Sequence, residues 1–265
     1  MSVALAKENA LVSDRLAVDR CLDSMLAPQG GPVCEAMRYA VLGAGQRLRP
    51  ILALRTAALL RADAAITMRA AAAVELLHCA SLIVDDLPCM DNEQLRRNRP
   101  TVHRQFGEAT ALLAAFALVG LAARSIAEHA CFQARLLSML DCNSLVGGQA
   151  LDLALTGETR EHNRSRVTQM KTVPLFQLAV EAGTLSSPCS KADSATLLEF
   201  GKEFGVAYQM TDDYLDGELD DAVAVDEQFS RARALLDGFP ERASGLLDLI
   251  NHLNAKICEE DRRHR

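Results

Sequence analysis

Apolar positions recur at helical spacing along nearly the whole chain. They fall three and four residues apart from Val3 to Ala27, and Pro28-Gln29-Gly30-Gly31-Pro32 closes that pattern with a turn. A second helix, from about Val33 to Leu42, stops at Gly43-Ala44-Gly45. Arg49-Pro50 opens a third, with proline near the first position, where a missing N–H does no harm. Ala64–Asp86 reads as a long Ala/Leu-rich helix that Pro88 disturbs. Further helices are predicted over about Gly107–Ala130, Gln133–Leu155, Arg160–Thr184, Asp193–Asp216, Glu227–Leu236 and Glu241–Ile257, with a loop at Ser186-Ser187-Pro188. No strand alternation, internal repeat or shift of composition interrupts the series. The pattern predicts one all-α domain over residues 1–265.

Composition agrees with this picture and narrows the partners. The chain is 49% apolar and has no Trp, and Ala and Leu dominate, which favours tightly packed helices. A formal charge of −7 disfavours nucleic acid as a partner. The eight cysteines include no C-x-x-C pair and no zinc-finger spacing, and most sit in apolar segments. Reduced thiols in a cytoplasmic protein are expected. The N-terminus does not read as a secretion signal. The longest apolar run, Ala111–Ala123, is short for a bilayer and reads as a buried helix, so no transmembrane segment is expected.

Two acidic clusters each end an apolar run. Asp85-Asp86-Leu87-Pro88-Cys89-Met90-Asp91 follows Ala80-Ser81-Leu82-Ile83-Val84, and Asp212-Asp213-Tyr214-Leu215-Asp216 follows Phe204-Gly205-Val206-Ala207-Tyr208. Carboxylates this close repel one another and are costly beside a buried helix unless a cation holds them. Mg²⁺ is commonly shared between a few carboxylates and substrate phosphates. Either cluster alone also reads as a helix cap or a solvated acidic surface. Two of the same form predict a metal-bridged phosphate site between two facing helices. Asp212 and Asp216 lie one turn apart on one helix face, whereas Asp85 and Asp91 need a break at Pro88 to share a metal.

Basic groups accompany the acids. Arg96-Arg97 follows the first cluster, Arg47 and Arg49 form a second pair, and His78 lies two turns before Asp85. Lys171-Thr172 places an ammonium and a hydroxyl near a helix centre, and Gln209 precedes Asp212 by one turn. Guanidinium groups grip diphosphate oxygens bidentately and stay charged. Taken singly, Arg96-Arg97 is a solvated turn, Lys171 a surface lysine and His78 a satisfied core histidine. Together they describe a cavity that could hold two diphosphates.

On these residues the chain resembles the trans-isoprenyl diphosphate synthases, the family of farnesyl and geranylgeranyl diphosphate synthases. The matching segments are Gly45–Pro50, Glu75–Asp91, Leu95-Arg96-Arg97, Phe106–Thr110, Gly147–Asp152, Lys171-Thr172 and Phe204–Asp216, in family order from about Cys34. The resemblance implies an isoprenoid synthase-type helical bundle around a deep central cavity, a homodimer, and Mg²⁺ (three ions in that family) between the two aspartate motifs. By position, Asp85, Asp91 and Asp212 would be the principal ligands, with Asp86, Asp213 and Asp216 binding or orienting waters and neighbours. Arg96, Lys171, Thr172 and Gln209 would hold the allylic diphosphate. Arg49, His78 and Arg97 would hold isopentenyl diphosphate, with Gln46 where the family usually has a lysine for that substrate.

The implied activity is a prenyltransferase of isoprenoid biosynthesis. It would condense isopentenyl diphosphate with dimethylallyl, geranyl or farnesyl diphosphate by Mg-assisted ionisation, with Asp85, Asp91, Asp212, Arg96 and Lys171 as the catalytic set. Small side chains at Ala80 and Ser81, about one turn before Asp85, imply geranylgeranyl diphosphate as product, although Phe116 could shorten it to farnesyl diphosphate. Val84, Asn98, Phe116 and Val173 also depart from the family pattern. The lysine-bearing loop usual after the second motif is shortened here, and no lysine lies between Lys202 and Lys256. That leaves a modulating subunit of a heteromeric synthase as an alternative. A terpene cyclase fits less well, because the second motif is an Asp pair plus Asp.

Overall fold

The computed structural model describes residues 3–26, 30–43, 45–240 and 242–263. Ala27, the last residue of the expected first helix, Pro28 and Gln29 of the turn after it, and Ala44 of the glycine-rich stop lie outside them. The fold is all-α, and the sole sheet among the described residues is a two-residue antiparallel ladder. Two compact units are present, Met1–Ile51 with Met68–Leu137, and Leu52–Thr67 with Ser138–Arg265.

The first unit begins with α1 (Val3–Met25) and α2 (Pro32–Val41). Gly31, at φ 91°, takes a left-handed turn immediately before Pro32, the first residue of α2. Helix α3 (Leu48–Leu60) begins one residue before Arg49, so Pro50 lies within its first turn, where no helical bond is lost. The central element is α4 (Ala64–Asp85), in which Ala70–Val74, Leu76, Leu77, Cys79, Ala80 and Ile83 are all buried. Asp63 caps α4, its Oδ1 accepting the amides of Ala65 and Ile66 at 2.8 and 2.9 Å.

Sequence patterning shows no strand, yet Leu95–Arg96 (β1) pairs with Arg99–Pro100 (β2). Arg97 and Asn98 between them have φ of 54° and 60°, the two left-handed residues of a tight hairpin turn. Tyr39 of α2 anchors the hairpin: its hydroxyl donates to the Pro100 carbonyl at 2.8 Å, and the Arg99 guanidinium lies 4.0 Å over its ring. After α5 (Val102–Phe106) and Gly107 comes α6 (Glu108–Ser125). Ala111, Ala114, Ala115, Leu118 and Ala122 bury one face of α6, but Leu112, Leu113 and Phe116 are exposed on the other. The apolar run is therefore only half buried, and Phe116, 67% exposed, points away from the core that a chain-shortening role requires. By length and composition α4 and α6 could each cross a membrane; the most apolar window of α4 is 67% buried and that of α6 28%.

The helix expected over Gln133–Leu155 is two, α7 (Ala130–Ser138) and α8 (Leu145–Ala154). The turn formers Asp141-Cys142-Asn143-Ser144 separate them, with the Ser144 amide donating to the Asp141 carbonyl at 3.0 Å. The helix expected over Arg160–Thr184 is likewise α9 (Gly157–Lys171) and α10 (Val173–Thr184). Pro174 lacks the amide that would continue α9, so Lys171 and Thr172 sit at a helix junction rather than mid-helix. The second unit continues with α11 (Lys191–Leu215), α12 (Ala222–Ala234) and α13 (Ser244–Arg263). Its core stacks Phe176 against Phe204 at 5.6 Å and Phe204 against Phe200 at 5.8 Å. Gly201 and Gly205 of α11 meet Val180 and Phe176 of α10, where an added Cβ would come within 2.9 and 3.1 Å.

Candidate active site

In the first unit the chain reverses at the end of α4. The Leu87 amide donates to the Val84 carbonyl and Met90 to Leu87, and Asp91 then donates to the Asp85 carbonyl at 2.9 Å. Pro88 sits in this reversal, as its position predicts. Asp91 thereby returns beside Asp85, with Asp85 partly accessible and Asp91 exposed. Asp86 has a different role. It is 3% exposed and takes the Arg96 Nε at 2.8 and 3.0 Å on its two oxygens and Nη2 at 2.7 Å. Burial pushes its carboxyl above the ordinary range, against which the Arg96 hydrogen bonds work. In this arrangement Asp86 and Arg96, expected to serve metal and diphosphate, serve each other.

A cationic group lies on the same unit. Arg49 donates from Nη1 to His78 Nε2 at 3.2 Å, so the imidazole accepts there and carries its proton on Nδ1. Burial first, then Arg49, Arg97, Arg96 and Arg47, hold His78 well below its ordinary pKa, and the ring is neutral. Arg97 lies against Gly45, where a Cβ would stand 2.7 Å from its Nη1. Arg47, paired with Arg49 in the sequence, is structural: it bonds Glu75 at 2.9 Å, Asp19 at 2.7 Å and the Val41 carbonyl. Gln46, beside it, is exposed. Burial and Glu75 push the Cys79 thiol up to about 12, leaving it an inert core residue.

In the second unit a chain of hydrogen bonds ties the expected diphosphate residues to the second motif. Thr172 Oγ1 donates to Gln209 Oε1 at 2.8 Å, and Gln209 Nε2 donates to Asp213 Oδ1 at 2.9 Å. Lys171 Nζ bonds Asp152 Oδ2 at 3.1 Å, and Gly148 lets α8 approach α9 there. Arg164 reaches Asp213 at 3.3 Å and the Glu218 carbonyl at 3.1 Å. Asp216 ends α11 in an exposed position. Gly217, at φ 74°, closes the helix: its amide bonds Tyr214, and the Glu218 amide bonds Asp213 at 2.8 Å. Six residues, Asp216 to Asp221, then reach α12, whose first turn Asp221 caps.

Patterning assigns no role to Asp152 or Arg164. A carboxylate four residues after a Gly-Gly pair, and an arginine two turns before Lys171, are the only hints the sequence holds.

The described residues contain no group of three His, Cys, Asp or Glu side chains set to cage a metal. Asp85 and Asp91, brought together by the backbone, and Asp212, one turn from Asp216, offer oxygen ligands of the type Mg²⁺ takes beside water and phosphate oxygens. Asp86, committed to Arg96, fits least.

The sequence profile of the polyprenyl synthetase family matches residues 32–226. The large subunit 2 of a heterodimeric geranylgeranyl pyrophosphate synthase from Arabidopsis thaliana is 36% identical over 219 residues, 78% of this chain and 58% of that protein. Farnesyl diphosphate synthase of Geobacillus stearothermophilus is 35% identical over 227 residues, 81% of this chain and 76% of that protein. An FPP/GFPP synthase structure from Zymomonas mobilis aligns with a TM-score of 0.86 at 32% identity, covering 94% of this chain and 99% of that one. The chain spans under three fifths of two Arabidopsis relatives, 58% and 59% of their lengths. With its helical fold and its motifs in order, the chain belongs to the polyprenyl synthetase family.

Proposed function

We propose that this chain is a prenyltransferase that joins isopentenyl diphosphate to an allylic diphosphate and releases geranylgeranyl diphosphate. The observation that carries the reading is the return of the Asp91 backbone to Asp85, which brings together two aspartates six apart in sequence, one partly accessible and the other exposed. Asp85 and Asp91 of the first motif, and Asp212 of the second, would serve as Mg²⁺ ligands, and Asp216 would orient waters beside Asp212. Bound there, Mg²⁺ supplies Lewis-acid neutralisation of the departing diphosphate. Lys171 adds a point charge and Thr172 a hydroxyl at the allylic diphosphate, both positioned by Asp152 and Gln209. Arg49, Arg97 and neutral His78 grip the second diphosphate and orient isopentenyl diphosphate toward the allylic carbon. The released diphosphate takes the final proton, so no side-chain base is needed.

The reading extends to a single catalytic domain in the cytoplasm, where the described cysteines persist as free thiols. It also includes a homodimer through α6, whose Leu112, Leu113 and Phe116 form an exposed apolar stripe that a second copy would cover. Purified protein with Mg²⁺, radiolabelled isopentenyl diphosphate and each allylic primer should give a C20 prenyl diphosphate, and a C15 limit would mark a farnesyl diphosphate synthase. The relative named as the large subunit of a heterodimer favours one alternative, a subunit of a heteromeric synthase. Product formed only after a partner synthase is added would select that alternative.

A further inference from the structure

One guanidinium gathers three acceptors where α11 ends. Arg164 of α9 donates from Nη1 to Asp213 Oδ2 at 3.3 Å and to the Glu218 carbonyl at 3.1 Å, and its Nη2 lies 3.5 Å from Glu218 Oε2. The contact with the exposed Glu218 carboxylate contributes little by itself. The contact with Asp213 differs, because that side chain is only 12% exposed and its other oxygen accepts Gln209 Nε2 at 2.9 Å. The Asp213 carbonyl also accepts the amides of Glu218 and Leu219, at 2.8 and 3.1 Å. Side chain and backbone of one residue therefore join α9, the last turn of α11 and the short connection to α12.

The network continues toward Thr172. With Nε2 of Gln209 committed to Asp213, its Oε1 is turned to Thr172, whose hydroxyl donates to it at 2.8 Å. The first motif has a parallel arrangement in its own unit, where Asp86, second of its aspartate pair, is buried against Arg96.

We propose that Arg164 is a positioning residue for the second acidic motif. It holds the Asp213 carboxylate toward α9, pins the α11–α12 connection, and through Asp213 fixes the orientation of the Gln209 amide that meets Thr172. Without the guanidinium, Asp213 adds an uncompensated charge beside Asp212, and like charges at that spacing push the helix end apart. The inference rests on the prenyltransferase reading and deepens it.

The test uses wild type, R164M, R164K, D213N and the double variant R164M/D213N, with thermal melts to confirm folding. Hydrogen–deuterium exchange of the protein without metal or substrate reads the connection directly. The amides of Glu218 and Leu219 should exchange about 10-fold faster in R164M, as expected when one charge-assisted bond is lost. KM for the allylic diphosphate should rise about 3- to 10-fold in R164M while KM for isopentenyl diphosphate stays unchanged. R164K keeps a charge at Asp213 but cannot span Glu218 as well, and should fall between R164M and wild type in both readouts. Once Asp213 is replaced, loss of the arginine should add nothing further, so R164M and D213N should be non-additive.

Unchanged exchange at Glu218 and Leu219 in R164M and R164K overturns the inference, and so do additive effects of R164M and D213N. An equal rise in both KM values also overturns it, since the arginine would then support the fold as a whole. Each of these results leaves the enzyme assignment standing. A wild-type chain that forms no prenyl diphosphate from any primer overturns the prenyltransferase reading and with it this role, and the exchange data, read without substrate, tell the two failures apart.

Discussion

The Asp91 amide donates to the Asp85 carbonyl at 2.9 Å, so the reversal after α4 is closed by the two residues whose carboxylates are proposed to meet the metal. Asp86, between them in sequence, faces inward to Arg96 instead. The three carboxylates of the first motif should therefore respond differently to substitution. D85A and D91A should lower kcat by about 10²-fold or more with melting unchanged, as expected when charge stabilisation is lost. D86A should in addition destabilise the fold by about 1–3 kcal/mol, because it strips a buried charge-assisted bond. Steady-state rates and denaturant melts on the three variants check this; a silent D91A would remove the metal assignment.

His78 should make stability depend on pH. Its folded pKa lies well below the ordinary value because burial and the surrounding arginines disfavour the imidazolium. Below about pH 6.5 the unfolded chain takes up a proton that the folded chain refuses, so this contribution is complete above that pH and drains away as pH falls. H78Q should flatten the fall of the melting midpoint between about pH 6.5 and 5. Parallel pH curves for the two proteins would reject the burial argument.

Product length should respond to position 81 more cleanly than to position 80. Ala80 is packed at 3% exposure, and phenylalanine there should cost about 1–3 kcal/mol by overpacking. Ser81 is partly accessible, lies one turn from Asp85, and already spends its hydroxyl on the His78 carbonyl at 2.9 Å. S81F should shift product from C20 toward C15 with little loss of stability, as read by chromatography of the labelled products. An unchanged C20 product would detach Ser81 from chain length.

The exposed face of α6 should carry self-association. L113E combined with F116E leaves the buried face of Ala111, Ala114, Ala115 and Leu118 intact. Light scattering should show a dimer for wild type and a monomer for the double variant, with the same helical content by circular dichroism. A wild-type monomer would remove the homodimer.

Helical periodicity carries most of this fold, because nearly every element buries a stripe at helical spacing. Its failures share a cause: the apolar period continues across a local break. Asp141-Cys142-Asn143-Ser144 and Pro174 are turn signals embedded in long apolar stretches, and the hairpin at Arg97-Asn98 is masked by its charges. Periodicity also cannot choose between two apolar faces of one helix, so it buries Phe116 where the fold exposes it. The acidic motifs are legible as clusters, but which carboxylate turns inward depends on the path after Asp85. The role of Asp213, held by Gln209 one turn before it, depends also on Arg164, a residue distant in the chain.

The glycines at positions 201 and 205 set a ruler for the second unit. Thr172 opens α10 and Gln209 lies one turn beyond Gly205 on α11, so their 2.8 Å bond inherits the separation of the two helix axes. A methyl group at position 205 would press on Phe176 and displace α10 by tenths of an ångström, enough to slacken that bond. Tuning the grip on a substrate by mutation at this seam would thus act at a distance, through the gap between two cylinders rather than through any group that touches the ligand.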